Sequence, residues 1–368
     1  MAILIFILIL VSLILVHEFG HFAVAKLFGI RVDEFGVGFP PKLWGKKYGE
    51  TEYTINALPF GGFVRIFGED KENAVAESPE DLSRAFTSKS KWKQALVLVA
   101  GVGMNIIAAW LILSVGYMVG LPGDSEYRGL GEVTNTHVTV LATSPESPAE
   151  KSGIIAGEKL IGIKAEGGAY LEADALADDF RHFIQQHGTE ILTLSLSRGD
   201  TVREVDATPV EGIVEGRPAL GFLLDDVGIV RLLPHEALVE GARLTYNLTI
   251  GTAVGLWDFF SGIFTGSADF SSVSGPVGIV GIVDEASQFG LTSLLMLAAV
   301  ISVNLAIINL IPFPALDGGR LFMVGLEAIA RRPIPPKVFM GLNAAGFGIL
   351  ILLMLAVTYH DIAKLIVG

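Results

Sequence analysis

From Ala2 to Val16 the chain carries no charge, and Ser12 is the one polar side chain in that run. It continues through His17-Glu18-Phe19-Gly20-His21 to Lys26. About 20 mostly apolar residues are what a helix needs to cross a ~30 Å hydrocarbon core. At that depth water satisfies no backbone polar group, so the segment has to be helical. The helix then puts His17 and His21, four residues apart, on one face. A carboxylate such as Glu18 costs about 2.5–3.5 kcal/mol there unless compensated. H-E-x-x-H at helical spacing is a zinc-binding pattern, with two imidazoles on the metal and the glutamate beside it. This one stretch therefore implies both a membrane helix and metal-assisted hydrolysis inside it.

Three further segments are apolar and long enough to span, near 94–121, 291–313 and 338–359, against 2–27 for the first. Cysteine is absent, which excludes a disulfide framework, a thiolate nucleophile and a Cys-based zinc site. Ala23-Val24-Ala25 resembles a signal-peptide cleavage site, but no Lys or Arg precedes the apolar run as a signal peptide requires. Residues 121–290 hold 25 acidic against 10 basic residues, whereas 26–93 hold 11 Lys and Arg, and 314–337 add Arg320, Arg331, Arg332 and Lys337. Positive charge collects on the cytoplasmic side of membrane helices. The expectation is that 28–93 and 314–337 are cytoplasmic, with 121–290 and both termini outside. No feature points to a nucleic-acid partner.

After the first span comes a Gly- and aromatic-rich stretch, Phe35-Gly36-Val37-Gly38-Phe39-Pro40, and then 52–57 and 62–66 read as short strands with period-2 alternation. An exposed edge at Gly62-Phe63-Val64 would accept an extended peptide by β-augmentation; a purely structural hairpin is the alternative. Residues 69–91 read as a loop with one surface helix. Ala100-Gly101-Val102-Gly103-Met104-Asn105 in the second span reads as helix packing through small residues, with Asn105 bonding across the bundle rather than serving catalysis. Residues 126–210 read as a separate soluble domain, with strands at 138–140, 157–163 and 191–197, a helix near 173–187, and Ser147-Pro148 as the N-cap and first residue of a short helix. Its pattern S-P-A-x-x-x-G-x-x-x-G-[ED]-x-[IL] resembles a PDZ domain, which implies a peptide tail as partner and Gly129-Leu130-Gly131 as its binding loop. Leu244 to Trp257 is uncharged but short, and reads as an interfacial amphipathic helix, with a fifth span as the alternative.

The third span ends in Asn304-Leu-Ala-Ile-Ile-Asn309-Leu-Ile-Pro312-Phe-Pro314-Ala-Leu-Asp317-Gly318-Gly319-Arg320. Two prolines break the helix, so Asp317 follows on irregular backbone, tolerated at membrane depth only when buried in protein or lining a wet cavity. Asp317 is a third ligand candidate: two His and one carboxylate leave the open position of a catalytic zinc site. Glu18 would then accept the proton of the attacking water.

H-E-x-x-H in a first membrane helix, a PDZ-like insert and N-x-x-P-x-P-x-L-D-G-G in a late one resemble the site-2 protease family, in particular its bacterial regulator-of-sigma-E branch. The resemblance covers residues 1–68, the insert, Gly275-Pro276-Val277-Gly278-Ile279 and 300–325. It implies a zinc (Zn2+) intramembrane protease of a bacterial cytoplasmic membrane that cuts transmembrane segments of single-span membrane proteins, such as anti-sigma factors or remnant signal peptides. Carried over by position, His17, His21 and Asp317 bind zinc, Glu18 is the base, and Asn309 positions substrate or the oxyanion, with Asn304 the weaker match. One PDZ-like unit is legible here, where the enterobacterial member has two.

The expected fold is a multi-pass α-helical membrane protein of about four spans in the lipid bilayer, with a PDZ-like α+β domain between the second and third and a small β-hairpin region after the first. It divides into 1–125, 126–210, a linker with interfacial helices over 211–290, and 291–368. A PDZ-bearing membrane scaffold with a vestigial metal site is the rival reading. A zinc protease acting on soluble chains would want its motif on a wet helix. No G-x-G-D aspartyl pair or G-x-S-x-G serine elbow is present.

Overall fold

The computed structural model describes residues 1–69, 79–172, 174–199, 201–214, 216–267 and 275–367. Two compact units result: Met1–Ser114 with Gly241–Gly368, and Val115–Glu240.

The first unit begins with α1 (Ala2–Leu27), apolar on every side, as a helix facing lipid must be. It stops at Gly29, whose φ of +64° lets the Ile30 N–H turn back to Ala25 O at 2.9 Å. β1 (Val32–Tyr48) and β2 (Thr51–Ile66) follow. Their register is more elaborate than a hairpin. Residues 34–37 of β1 pair antiparallel with 62–65 of β2 and also run alongside 52–55 in the same direction, while 42–48 pair with 51–56. The four segments therefore lie in the order 62–66, 32–37, 51–56, 42–48, which leaves Gly62–Ile66 at an edge.

A short helix, α2 (Pro79–Ser83), and a 3-10 turn at Phe86–Ser88 lead to α3 (Lys91–Val119). The expected loop over 69–91 lies partly outside the described residues, at 70–78. Ala25, Ile30, Val32, Ile66, Phe86, Val97 and Leu98 form one buried cluster that locks α1, the strands and α3 together.

The second unit is built on a seven-stranded sheet. Its elements are β3 (Leu121–Gly123), β4 (Val133–Thr143), α4 (Pro148–Lys151), β5 (Lys159–Ala165), β6 (Tyr170–Glu172), α5 (Ala177–Gln186), β7 (Leu192–Arg198), β8 (Thr201–Ala207), β9 (Val210–Val214), β10 (Arg217–Ala219) and β11 (Phe222–Val230). Strand order is β3-β11-β4-β5-β7-β8, with β6 on β5 and β9–β10 a separate pair. Leu192, Leu194 and Leu196 alternate into the core from β7, and Ala177, Phe180, Phe183 and Ile184 cover it from one face of α5. Ser147 caps α4, its side chain accepting the Glu150 N–H at 3.2 Å, with Pro148 at the first helical position. The sequence reading ends this region at residue 210, yet β11 sits between β3 and β4. Asp225-Asp226 interrupts the apolar alternation of that strand and hides it from a periodicity reading.

The chain returns to the first unit in α6 (Pro234–Thr265), then α7 (Pro276–Gln288), α8 (Leu291–Leu310), α9 (Asp317–Ala330) and α10 (Pro336–Val367). The Asp361 carboxylate in α10 accepts the N–H groups of Gly275 (3.2 Å) and Gly278 (2.8 Å), capping the start of α7 with charge opposite to its dipole. Ala2–Leu27, Lys91–Val119, Leu291–Leu310 and Pro336–Ala363 are long and apolar enough to cross a membrane. They match the four expected spans. α6, which holds the uncharged Leu244–Trp257 segment, is not among them.

Candidate metal centre

His17 and His21 lie on one face of α1, both buried and edge to face with ring centroids 4.8 Å apart. Asp317 arrives from the other end of the chain. α8 stops at Leu310, Pro312 and Pro314 hold the backbone out of helix, Ala315 takes a φ of +75°, and α9 starts at Asp317. Gly318 and Gly319 are required there. A Cβ on either would collide with the carbonyls of Leu310, Ile311 or Phe313, because the first turn of α9 folds directly onto the broken end of α8. One turn on, Arg320 pairs with the Glu69 carboxylate at 2.5 Å and donates to Glu69 O at 3.1 Å, tying α9 to the end of β2.

Three ligand atoms converge. His17 Nε2 is 2.9 Å from Asp317 Oδ2, His21 Nε2 is 3.2 Å from the same oxygen, and the two Nε2 atoms are 3.1 Å apart. Four ligands around zinc at ~2.0–2.1 Å stand about 3.3 Å from one another, so this triangle suits a metal ion held by two imidazoles and one carboxylate. Among the described residues it is the one group of three or more such side chains close enough to share an ion.

α3 backs the site. His21 Nδ1 bonds Val97 O at 2.8 Å, and Asn105 meets His17 Nδ1 at 3.3 Å. A Cβ on Gly101 would strike both imidazoles, so only glycine lets α3 approach this closely.

The profile of peptidase family M50 matches residues 5–353. The chain belongs to peptidase family M50, the site-2 proteases. A Clostridium perfringens relative, provisionally named a zinc metalloprotease, is 36% identical over 356 residues, 95% of each chain. Zinc metalloprotease RasP of Oceanobacillus iheyensis is 28% identical over 438 residues, 98% of each. RasP of Geobacillus kaustophilus is 28% identical over 435 residues, covering 98% of this chain and 97% of its own. As a member of family M50, the protein is a zinc metalloprotease of a membrane.

The remaining sequence candidates of this M50 chain are distributed as follows. Glu18 is half-buried on α1. Gly62 crosses that helix: a Cβ there would lie 2.9 Å from Leu15 Cδ2 and 3.9 Å from Glu18 Cγ. Phe63 stacks on Phe39 at 6.3 Å, and Val64 packs against the cluster around Ala25 and Ile30. Asn309 is half-buried in the last turn of α8, just before the Pro break. Asn304 Oδ1 instead accepts the Thr252 hydroxyl of α6 at 3.3 Å, a helix-to-helix bond.

In the β-rich unit, the loop expected to bind a peptide is occupied by its own contacts. Leu130 N–H donates to Glu240 at 3.1 Å, and Leu130 O accepts the Tyr127 hydroxyl at 2.7 Å. Phe222–Val227 of β11 has one neighbouring strand: β4 flanks it on one side and β3 pairs only with 228–230. α5 lies along the other side, with Ala177 N–H on Asp226 Oδ1 at 3.1 Å and Arg181 on Leu224 O.

Proposed function

We propose that this M50 protease cuts transmembrane segments of single-span membrane proteins within a bacterial cytoplasmic membrane. The observation carrying the proposal is the His17–His21–Asp317 cluster, its ligand atoms about 3 Å apart, on a helix whose preceding fifteen residues are uncharged. His17, His21 and Asp317 would hold zinc. When bound, zinc polarises the scissile carbonyl and lowers the pKa of water towards ~7. Glu18 takes the proton from the attacking water and delivers it to the leaving amine.

A transmembrane helix hides its peptide bonds, so the substrate must unwind before attack. The edge at Gly62-Phe63-Val64, passing over α1 beside Glu18, supports a role in holding it extended. Asn309, at the broken end of α8, is assigned to substrate or oxyanion positioning; Asn304 is left to helix packing. The charge asymmetry supports cytoplasmic placement of 28–93 and 314–337, with the β-rich unit and both termini outside. That unit is read as PDZ-like, taking a peptide tail and admitting substrates already trimmed outside.

The test is Glu18→Gln on a labelled single-span substrate in detergent, with zinc content measured alongside. Zinc is retained and cleavage is lost. Asp317→Ala lowers both. Undiminished cutting by Glu18→Gln removes Glu18 from its role, and absence of cutting by the wild type on any single-span substrate leaves the scaffold reading.

A further inference from the structure

α3 presents Val97, Gly101 and Asn105 at successive four-residue intervals, the same spacing as His17 and His21 on α1. Val97 O can only accept, so its 2.8 Å bond requires a hydrogen on His21 Nδ1 and leaves the Nε2 lone pair turned to Asp317. Gly101 supplies the clearance. Asn105 is the third member, and its geometry is unresolved in a revealing way. The side chain is wholly buried, Nδ2 lies 3.3 Å from His17 Nδ1, and Oδ1 has no hydrogen-bond partner among the described residues. A buried acceptor left without a partner is costly.

In this orientation the amide donates to an unprotonated Nδ1, and His17 carries its hydrogen on Nε2, pointing at Asp317 Oδ2. Once Nε2 gives its lone pair to a metal, the hydrogen must sit on Nδ1, where it would face the Asn105 NH2 donor to donor. Turning the carboxamide by 180° about χ2 brings Oδ1 onto Nδ1–H and gives that orphaned acceptor a partner. A ligating histidine holds its tautomer through such a bond from its other nitrogen. The backbone of Asn105 is fixed meanwhile, because its C=O accepts Ser302 Oγ of α8 at 2.8 Å.

We propose that Asn105 is a positioning residue of the metal centre, accepting His17 Nδ1–H through Oδ1. This rests on the reading that His17 is a ligand. The test compares full-length wild type, Asn105→Leu, Asn105→Asp and His17→Ala in detergent. The zinc dissociation constant is read by competition with a chelator, and thermal unfolding of the metal-free forms serves as a folding control. Asn105→Leu removes the acceptor and weakens zinc binding about 10–100-fold. Asn105→Asp keeps an acceptor without a donor and binds zinc at least as tightly as wild type. If Asn105→Leu matches wild type, or Asn105→Asp loses affinity as Leu does, the assignment is overturned. Should the Leu variant fail to fold, the Asp variant decides alone. Zinc retained at full affinity by His17→Ala would instead sink the underlying ligand assignment.

Discussion

Gly101 leaves no space for a side-chain atom between α3 and the His21 imidazole. Gly20 of α1 stands in the same relation to the Ala100 carbonyl. The two helices therefore touch backbone to backbone beside the two imidazoles, as small residues permit in membrane bundles. Gly101→Ala is expected to fold with both imidazoles displaced. Zinc per protein falls, and turnover drops about 100-fold, the scale of a ligand misplaced by an ångström. Wild-type zinc content and turnover in this variant would contradict the packing argument.

Gly62 is tight for a different reason. A Cβ there meets Gly36 O and Leu15 Cδ2, each at 2.9 Å. Gly62→Val should push the edge strand away from Glu18 without touching the ligands. Substrate cleavage falls about 10-fold or more while zinc stoichiometry stays at the wild-type value. Parallel loss of zinc would show that the strand supports the metal centre instead.

Glu158 is 2% exposed and bound by Arg203 through two bonds of 2.8 and 2.9 Å. It also accepts the Ile155 N–H at 3.1 Å. Glu158→Ala leaves the Ile155 N–H without its partner, while the exposed Arg203 guanidinium keeps Gly153 O and water; the β-rich unit should lose about 1 kcal/mol, read from its denaturant midpoint. Metal binding by the other unit should be unaffected.

Glu50, in the turn between β1 and β2, pairs with Lys26 and Arg84, each at 2.6 Å. Partial burial works to raise its pKa, but hydrogen bonds and charge from the two cations outweigh it and hold the carboxyl below its ordinary range. A depressed folded-state pKa contributes stability that is complete above the unfolded value, about 4.3. That contribution is lost as pH falls through the folded value. Between pH 7 and pH 3, wild type should lose more of its unfolding midpoint than Glu50→Gln. Identical slopes would remove Glu50 from the acid response.

Much of the architecture was legible because its signals are local. Four apolar runs became the four long helices, and Ser147-Pro148 capped α4 as its residue types dictate. β11 escaped because two aspartates break its alternation, and the doubled register of β1 and β2 cannot be inferred from period-2 patterning. Asn105 read as bundle glue, although its spacing from Gly101 matches that of the two histidines and was a usable signal.

On its own, the sequence determined that His17 and His21 share a face beside Glu18 in an apolar helix, since a helix sets side-chain direction through bonds four residues long. Only the tertiary structure decided that Asp317 reaches them across 300 residues, that Gly101 and Asn105 back the imidazoles, and that Gly62 crosses over Glu18. Those relations depend on how separate elements pack, and no short-range periodicity encodes which two faces will meet.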